Sequence, residues 1–415
     1  MTGRERMLRG YRALDLTDET GFFCGKILAE LGVDVIKVER PGGDPSRESG
    51  PFWSGARGPE KSLYWFAYNA SKRGITLDPG RQEGARLFRE LVRTADFVLE
   101  SYAPGESSAP GLDYEELARI RPDIILASIT PFGRTGPYSR YRATDLTVMG
   151  MSGELFLTGE ASRPPLNISL PQACLHAGSD AAVGCMIAHH HRRRTGQGQR
   201  VDVSLQQSAA WFLAQTIPHW ELDRLILGRV GTYRTSSRGT LQRQVWPCRD
   251  GFIFFFMIGG QQGAKTGYQL VRWMQEEGMA DDFLAAYRWE EFDMATATQE
   301  LIDRISRPIA AFFLTRTKKE ALEAAVSRNI SICPLMGNRD LLDDPNLAAR
   351  QFWMQLEHPE LGTAVPYPRR FVRSSANETA TRSRAPRVGE HNREVYGELG
   401  LGPEQLARLE EAGVI

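Results

Sequence analysis

The sequence lacks an excess of charge of either sign. Its 415 residues include 51 Lys and Arg and 51 Asp and Glu, so the formal net charge is zero. Proteins that hold nucleic acid neutralise its phosphates with basic residues, and polybasic segments attach proteins to anionic membranes. The balance of charge therefore argues against a nucleic-acid partner and against a membrane partner.

Long apolar runs are also missing. A helix that crosses a bilayer needs about 20 predominantly apolar residues. The longest compact run here, Gly251–Ile258 (GFIFFFMI), is much shorter and predicts a buried strand. The opening residues, MTGRERMLRGYR, contain no apolar segment of the signal-peptide kind. We therefore expect a cytoplasmic protein.

Cysteine is scarce, and its positions form no C-x-x-C pair and no zinc-type spacing. This pattern predicts neither a disulfide framework nor a bound metal. No G-x-G-x-x-G motif follows the first predicted strand, so we expect no nicotinamide and no flavin. The segment GGQQGAKTG (Gly259–Gly267) lacks the Gly-Lys-Ser/Thr order of a phosphate-binding loop and is predicted to be a turn.

Strand and helix patterns alternate through the first 140 residues. Such alternation is typical of parallel βαβ units in an open, doubly wound sheet, hence of the α/β class. These sheets bind ligands in the crevice beyond the carboxyl ends of their strands. The residues predicted at those ends are Arg40; Leu77, Asp78, Pro79 and Gly80; Ser101, Tyr102 and Ala103; and the loop 131–137.

The later part of the chain has a different pattern. We predict a helix over 178–193, a strand over 201–204 and one long helix over 205–227. Residues 240–325 predict a smaller α+β unit. The chain then ends in a predicted helix over Pro403–Glu411.

Seven segments resemble the family III CoA-transferases, also called the CaiB/BaiF family, in the same order along nearly the whole chain. They are LAELGVDVIKVERPGGDPSR (28–47), YNASKRGITLD (68–78), RPDIILASITPFGRTGPY (121–138), ATDLTVMGMSGELFLTG (143–159), RTGQGQRVDVSLQQS (194–208), LLDDPNLAARQFW (341–353) and APRVGEHNREVYGELGL (385–401). The resemblance implies a large, Rossmann-like CoA-binding domain from 1–228 and 330–415, with a linker helix at about 205–227. It also implies a small α+β domain from 229–329 and a dimer of interlocked rings.

The resemblance also implies residues of a CoA site. Arg40 matches an arginine on the adenine side of CoA, with a surface pair to Glu39 or Asp44 as the alternative role. Leu77–Gly80 and Ser101–Ala103 match further contacts, mostly backbone and apolar; the alternative is that both are ordinary strand-end loops. Arg142 matches a lysine that meets a CoA phosphate. Lys72 forms a basic pair with Arg73 beside a strand and is predicted as a further CoA contact, with a solvated charge as the alternative role for one of the two. The family commonly has an arginine near Ala109, which this sequence lacks.

Position 174 departs from the family pattern. Cys174, four residues before Gly178, stands where the family carries a nucleophilic aspartate. In the family that carboxylate attacks an acyl-CoA thioester to give a mixed anhydride, and CoA returns to form an enzyme-bound thioester. A thiol cannot take this role, because the enzyme itself must carry CoA as a thioester. Asp145 matches an acidic position near the reacting centre; its alternative role is the N-cap of the helix following Thr144.

Three interpretations remain open for this departure. A neighbouring carboxylate substitutes as nucleophile (Asp145, Asp180 or Glu154); or the chain is the non-nucleophilic subunit beside an Asp-bearing paralogue; or it is an isomerase, racemase or lyase acting on CoA thioesters. The plainest role for Cys174 itself is that of a small buried apolar residue. We expect a CoA-transferase, as a homodimer or heterodimer, that moves CoA between an acyl-CoA and a carboxylic acid of the formyl, succinyl or aryl-alkyl class.

Overall fold

The architecture rests on short strands joined by helices. The computed structural model describes residues 5–104, 113–236 and 238–415, with the backbone alone for Asp223. Its strands are β1 (Arg12–Asp15), β2 (Asp34–Glu39), β3 (Arg73–Thr76), β4 (Phe97–Glu100), β5 (Ile125–Thr130), β6 (Gln199–Ser204), β7 (Tyr233–Thr235), β8 (Leu241–Arg243), β9 (Val245–Cys248), β10 (Gly251–Phe255), β11 (Ile332–Leu335), β12 (Trp353–His358) and β13 (Thr363–Pro368).

The helices of the described residues follow the same order along the chain. They are α1 (Phe22–Leu31), α2 (Leu63–Asn69), α3 (Gln82–Thr94), α4 (Tyr114–Ile120), α5 (Asp145–Ser152), α6 (Glu154–Leu157), α7 (Gln172–Thr195), α8 (Leu205–Trp211), α9 (Thr216–Asp223), α10 (Gly260–Glu276), α11 (Asp282–Ala286), α12 (Gln299–Phe313), α13 (Lys318–Arg328), α14 (Asn338–Leu342), α15 (Pro345–Ala349), α16 (Asn392–Glu398) and α17 (Pro403–Glu411). Single 3-10 turns lie at Pro45–Glu48, Trp53–Gly55 and Trp289–Glu291.

Six strands form a parallel sheet in the order β3-β2-β1-β4-β5-β6. Every residue of β4 and β5 is buried, as expected when helices cover both faces of a parallel sheet. The strand order reverses between β1 and β4, and such a switch point opens a crevice beyond the carboxyl ends. The predicted open parallel sheet is confirmed.

The predicted single helix over 205–227 is wrong. Helix α8 ends at Trp211, and α9 begins at Thr216. Pro218 accounts for the break, since in a continuous helix its ring would clash with the carbonyl of Ala214. In the first turn of α9, by contrast, its missing N–H has no intrahelical acceptor to lose. The helix predicted over 178–193 starts earlier, so Cys174 falls in the first turn of α7.

The chain divides into two compact units. The first comprises Met1–Glu154, Ile168–Leu213 and Pro345–Ile415; the second comprises Leu155–Asn167 and Ala214–Asp344. The sequence assigned 155–167, 214–228 and 330–344 to the large domain, whereas in the structure they group with the second unit. The boundary between Leu213 and Ala214 lies at the break between α8 and α9. The single helix predicted over 205–227 would have run across this boundary.

The outer edge of β3, an edge strand of the sheet, is covered by α16. The Thr76 N–H donates to Asn392 Oδ1 (2.9 Å), and the Asn392 amide donates to Thr76 Oγ1 (2.8 Å). The Tyr396 hydroxyl donates to the Thr76 carbonyl (2.7 Å). Uncovered strand edges leave backbone groups unpaired and invite association with other strands. These side chains therefore close the sheet at this edge.

The second unit has its own core around an antiparallel sheet of order β11-β10-β9. The segment GGQQGAKTG is not a turn, because α10 begins at Gly260. A Cβ on Gly267 would lie 2.1 Å from the ring of Trp289. This glycine therefore allows α10 to pack against a buried tryptophan.

Three further features concern membranes, metals and redox state. No helix within the described ranges is both long and apolar enough to cross a membrane. Residues 5–104, 113–236 and 238–415 contain no cluster of three or more His, Cys, Asp and Glu arranged to hold a metal ion. All five cysteines are free thiols, namely Cys24, Cys174, Cys185, Cys248 and Cys333.

Candidate active site

A cavity of about 420 Å³ lies at the carboxyl ends of β1, β2, β3 and β4. Five residues that the sequence placed at strand ends line it together: Arg40, Leu77, Asp78, Pro79 and Tyr102. Gly80, Ser101 and Ala103 belong to the same loops but are not among the described residues on its wall. Ser101 has a structural contact, since its hydroxyl accepts the Asp18 N–H (2.8 Å). The topology of the sheet thus brings five of the predicted residues to one place.

Arg40 is exposed at this cavity, and both alternative partners are engaged elsewhere. Buried Arg47 holds Glu39 through two hydrogen bonds, Nε to Oε2 (2.7 Å) and Nη2 to Oε1 (2.8 Å). Asp44 accepts the N–H and the hydroxyl of Ser46. Among the described residues, the Arg40 guanidinium has no ion-pair partner. It is therefore available to an anionic ligand.

A second cation on the cavity wall, Arg81, was missed by the sequence analysis. Its Nε lies 3.3 Å from Asp78 Oδ2, and both side chains are largely exposed. Exposed pairs of this kind are worth about 0–1 kcal/mol, so a ligand can replace Asp78 as the partner of Arg81. The available signal was an arginine directly after the predicted strand-end loop.

Lys72 is a correction to the predicted CoA contacts. Its buried ammonium donates to Asp15 Oδ2 (2.7 Å), the Phe22 carbonyl (2.9 Å) and Asn69 Oδ1 (2.8 Å). These three acceptors use all three N–H groups of the ammonium. Burial lowers the pKa of Lys72 to about 8, although Asp15 opposes that shift. Lys72 therefore ties β1 to α1 and α2 and has no donor left for a phosphate.

Cys174 lies in the first turn of α7, where backbone N–H groups lack intrahelical acceptors. Its N–H donates to Asp145 Oδ1 (3.1 Å), and its side chain is buried. Asp145 is the first residue of α5, and the N-cap of that helix is Thr144, whose hydroxyl accepts the Thr147 N–H. The N-cap role considered for Asp145 on its own helix is therefore wrong, and Asp145 instead caps α7.

The thiol of Cys174 is held in its protonated form. Burial raises its pKa most, followed by the negative charge of the nearby Asp145 carboxylate. Glu19 and Asp18 raise the pKa further. A helix N-terminus alone would lower the pKa of a thiol, but here the carboxylates and burial outweigh it. Because the thiolate is the reactive form, Cys174 is a poor nucleophile near neutral pH.

The loop after β1 joins the cavity to the thiol. Leu16 lines the cavity, and Glu19 lies close enough to raise the pKa of Cys174. The pKa of Glu19 is itself raised, first by burial and then by Asp18, Asp44 and Asp145. One short segment therefore borders both the strand-end cavity and the acidic surroundings of the thiol.

The other candidates lie in different settings. Of the three carboxylates considered as substitutes for the family aspartate, Asp145 contacts Cys174, whereas Asp180 is exposed on α7 and Glu154 begins α6. Arg142 is exposed in the loop before α5, outside the lining of the cavity within the described part of the chain. Ala109, near which the family has an arginine, lies outside the described residues.

Comparison with known proteins gives a consistent result along the chain. The chain matches the family model described as CoA-transferase family III over residues 8–392. A relative from Thauera aromatica, succinyl-CoA:(R)-benzylsuccinate CoA-transferase subunit BbsE, is 35% identical over 406 residues, 98% of this chain and 97% of the relative. The succinyl-CoA–L-malate CoA-transferase beta subunit of Chloroflexus aurantiacus is 28% identical, covering 98% of each protein.

A solved structure supports the same relationship in three dimensions. A CAIB/BAIF family protein from Brucella suis aligns with a TM-score of 0.79 and 28% sequence identity. The alignment covers 95% of this chain and 100% of that protein. The likeness therefore extends to both units of the chain.

Proposed function

This chain belongs to CoA-transferase family III, and from that membership we propose that it is the non-nucleophilic, CoA-binding subunit of a hetero-oligomeric transferase. The activity itself follows from the family: CoA moves between an acyl-CoA thioester and a carboxylic acid. What is proposed is the division of labour. This chain holds CoA, and a second family III chain, with aspartate at the position of Cys174, supplies the nucleophile.

The observation that carries the proposal is the state of Cys174. Its thiol is buried and has a pKa raised by burial and by three carboxylates. Even as a thiolate it would attack an acyl-CoA to give an acyl-cysteine thioester and free CoA. That product contains no enzyme carbonyl to which CoA can return, so the transfer would stop there.

A carboxylate nucleophile can complete the cycle of CoA transfer. It attacks the thioester carbonyl, a mixed anhydride forms, and CoA leaves as the thiolate. The thiolate attacks the carbonyl of the enzyme residue, which gives an enzyme-CoA thioester and releases the donor acid as a carboxylate. The acceptor carboxylate then repeats both steps in reverse. Each step exchanges one acyl–oxygen and one acyl–sulfur bond and needs no metal or redox partner.

We assign CoA binding to the cavity at the strand ends. CoA carries a diphosphate and a 3′-phosphate, and arginine can hold phosphate through two parallel hydrogen bonds. Arg40 and Arg81 supply two such groups at this cavity, next to the backbone and apolar atoms of Leu77–Pro79 and Tyr102. Arg142 is proposed as a further phosphate contact nearer to Asp145.

The choice of donor and acceptor follows the named relatives. Both act, by name, on succinyl-CoA, so we propose succinyl-CoA as the donor here. An aryl- or alkyl-substituted acid is proposed as the acceptor, with (R)-benzylsuccinate as the first acid to test. The free thiols suit a reducing compartment, and we propose the cytoplasm.

Exposed apolar side chains on α7 and α8 support a partner chain. Trp211 is 75% exposed and Ile187 65% exposed. Val183 on α7 and Phe212, the residue after α8, are also exposed. Groups of exposed large apolar residues commonly mark interfaces between proteins. We propose that the second family III chain covers this surface in the interlocked dimer.

The test is transfer from succinyl-CoA to (R)-benzylsuccinate by the lone purified chain and two variants. We expect wild type to bind CoA by calorimetry but to show no transfer. Cys174→Asp should gain measurable transfer, because it restores a carboxylate at this position, and Cys174→Ala should gain none. Robust transfer by lone wild type that survives Cys174→Ala would contradict both the partner model and a nucleophilic thiol.

A second candidate is that Asp145 is the nucleophile of a complete enzyme. The contact between its carboxylate and the Cys174 N–H favours it over Asp180 and Glu154. In this case the lone chain is active, Cys174→Ala keeps that activity and Asp145→Asn abolishes it. Asparagine can still accept the Cys174 N–H, so this variant removes the nucleophile while keeping the cap on α7.

A further inference from the structure

The cavity at the strand ends has one wall that the sheet does not supply. Gly413, just after α17, lines it beside Arg40, Asp78 and Arg81. The Asp78 N–H donates to the Val414 carbonyl (2.8 Å). The strand-end loop after β3 is therefore fixed by the last turn of the chain, about 330 residues away in sequence.

The segment after α17 is itself firmly held. Val414 and Ile415 are buried in the same core as Leu77. The Gly413 N–H donates to the Glu410 carbonyl (2.9 Å), and the Val414 N–H donates to the Leu409 carbonyl (2.9 Å). These bonds satisfy carbonyls at the helix end. The position of Gly413 on the cavity wall is thus set by the helix end and the core.

Gly413 also leaves room beside a cation. Its φ is +63°, in the left-handed region that glycine occupies without strain. A Cβ at this position would lie 3.7 Å from Arg81 Nη2 and 4.0 Å from its Cζ. A side chain at this position would therefore begin in van der Waals contact with the Arg81 guanidinium and would take up space beside it. Glycine keeps that space open and uncharged.

We propose that Gly413 is a specificity-determining residue for the phosphorylated nucleotide end of CoA. The segment 412–415 forms a wall of the nucleotide site, and its glycine lets a phosphate reach Arg81 while Arg40 holds the same end of the ligand. On binding, the phosphate replaces Asp78 as the partner of Arg81. This inference rests on the proposed CoA binding at the cavity.

Gly413→Asp and Gly413→Asn form a matched pair for the test. Asparagine and aspartate have nearly the same volume, and both tolerate a left-handed backbone better than other side chains. Only aspartate adds a negative charge beside Arg81 and the phosphate. CoA affinity is measured by calorimetry for wild type and both variants, with thermal unfolding to check that the two variants fold equally well.

The expected result is CoA binding by Gly413→Asp that is roughly tenfold weaker than by Gly413→Asn, the effect of one unit charge a few Å from the phosphate. The difference in CoA affinity between the two variants should become smaller as the salt concentration rises from about 50 mM to about 500 mM, because exposed charges are screened. If the CoA affinities of the two variants differ by less than about twofold, or if salt does not change their difference, the proposed role of Gly413 is overturned. The proposal that wild type binds CoA would be unaffected. Failure of wild type to bind CoA would instead overturn the proposed function.

Discussion

At the scale of single residues, neighbours in space decide which charges are free. Glu39 cannot neutralise Arg40 because Arg47 already holds both of its oxygens. Lys72 has no donor left because Asp15, Asn69 and a carbonyl of α1 use them all. Two basic residues that look alike in the sequence therefore have opposite roles.

Substitution of Arg40 should separate binding from stability. Arg40→Gln is expected to weaken CoA binding roughly tenfold or more, because a charge-assisted phosphate contact is lost. Its free energy of unfolding should change by less than about 0.5 kcal/mol, because the side chain is exposed and has no ion-pair partner in the described part of the chain. Calorimetry with CoA and urea unfolding measure the two quantities.

Arg47→Gln is the matched control. It leaves Glu39 buried without a cation, and breaking a buried pair in this way costs about 3–5 kcal/mol. An Arg40 variant that loses as much stability as the Arg47 variant, or one that binds CoA as tightly as wild type, would contradict the assignment of Arg40.

The thiol of Cys174 should react slowly with alkylating reagents. Burial and the neighbouring carboxylates raise its pKa, so the thiolate fraction at pH 8 is small. Asp145→Asn removes one of those charges and should speed alkylation roughly tenfold, the effect of about one pKa unit. Mass spectrometry of iodoacetamide-treated protein gives the rates, with exposed Cys333 as internal reference. Equal rates in both proteins would mean that Asp145 does not control the thiol.

At the scale of elements, the ends of strands and helices matter more than their middles. The carboxyl ends of four parallel strands form the cavity, and the first turn of α7 carries Cys174. Strand β3 needs α16 from the other end of the chain to pair its outer edge. The loop that carries Asp78 and Arg81 therefore depends on a helix that is remote in sequence.

The edge of β3 can be tested with two variants of α16. Asn392→Ala leaves the N–H and hydroxyl of Thr76 without partners and should cost about 1–3 kcal/mol of unfolding free energy. Tyr396→Phe removes a single hydrogen bond from a buried ring and should cost about 0.5–1.5 kcal/mol. Chemical denaturation gives both values. A Tyr396→Phe cost larger than that of Asn392→Ala would contradict the larger role assigned to Asn392 at this strand edge.

At the scale of the whole molecule, zero net charge conceals an uneven distribution. Acidic groups gather around Cys174, where Asp18, Glu19 and Asp145 all raise the pKa of the thiol. The cavity wall carries two arginines instead. One region of the first unit thus suits anionic phosphates, and another disfavours further negative charge.

The free energy of unfolding should depend on pH because these acidic groups raise the pKa of Cys174. The folded pKa of Cys174 lies above its ordinary value of 9.0, so above pH 9 the unfolded chain binds fewer protons at this residue than the folded chain. Its contribution is therefore fully present below about pH 8.5 and is lost as pH rises. Cys174→Ser has no titrating thiol, so its unfolding free energy should fall less steeply between about pH 9 and pH 10.5. Parallel curves for the two proteins would contradict the raised pKa.

The sequence alone predicted the features that depend on local pattern and order. The alternation of strands and helices was enough to predict a parallel sheet. The position of each strand end was enough to predict that Arg40, Leu77, Asp78, Pro79 and Tyr102 lie at one cavity. The order of the motifs along the chain was enough to identify the family. These properties can be predicted from the sequence because periodicity and topology do not depend on the details of side-chain packing.

Only the tertiary structure decided which side chains are free, buried or protonated. The burial of Lys72 against Asp15, the capping of Cys174 by Asp145 and the wall formed by Gly413 each join residues that are far apart in sequence. The release of Arg40 depends on a buried contact between Glu39 and Arg47, which a linear pattern does not reveal either. The physical reason is that charge, desolvation and hydrogen bonding act through space over a few Å. A linear pattern therefore gives the position of a residue in the fold, but not the groups that surround it.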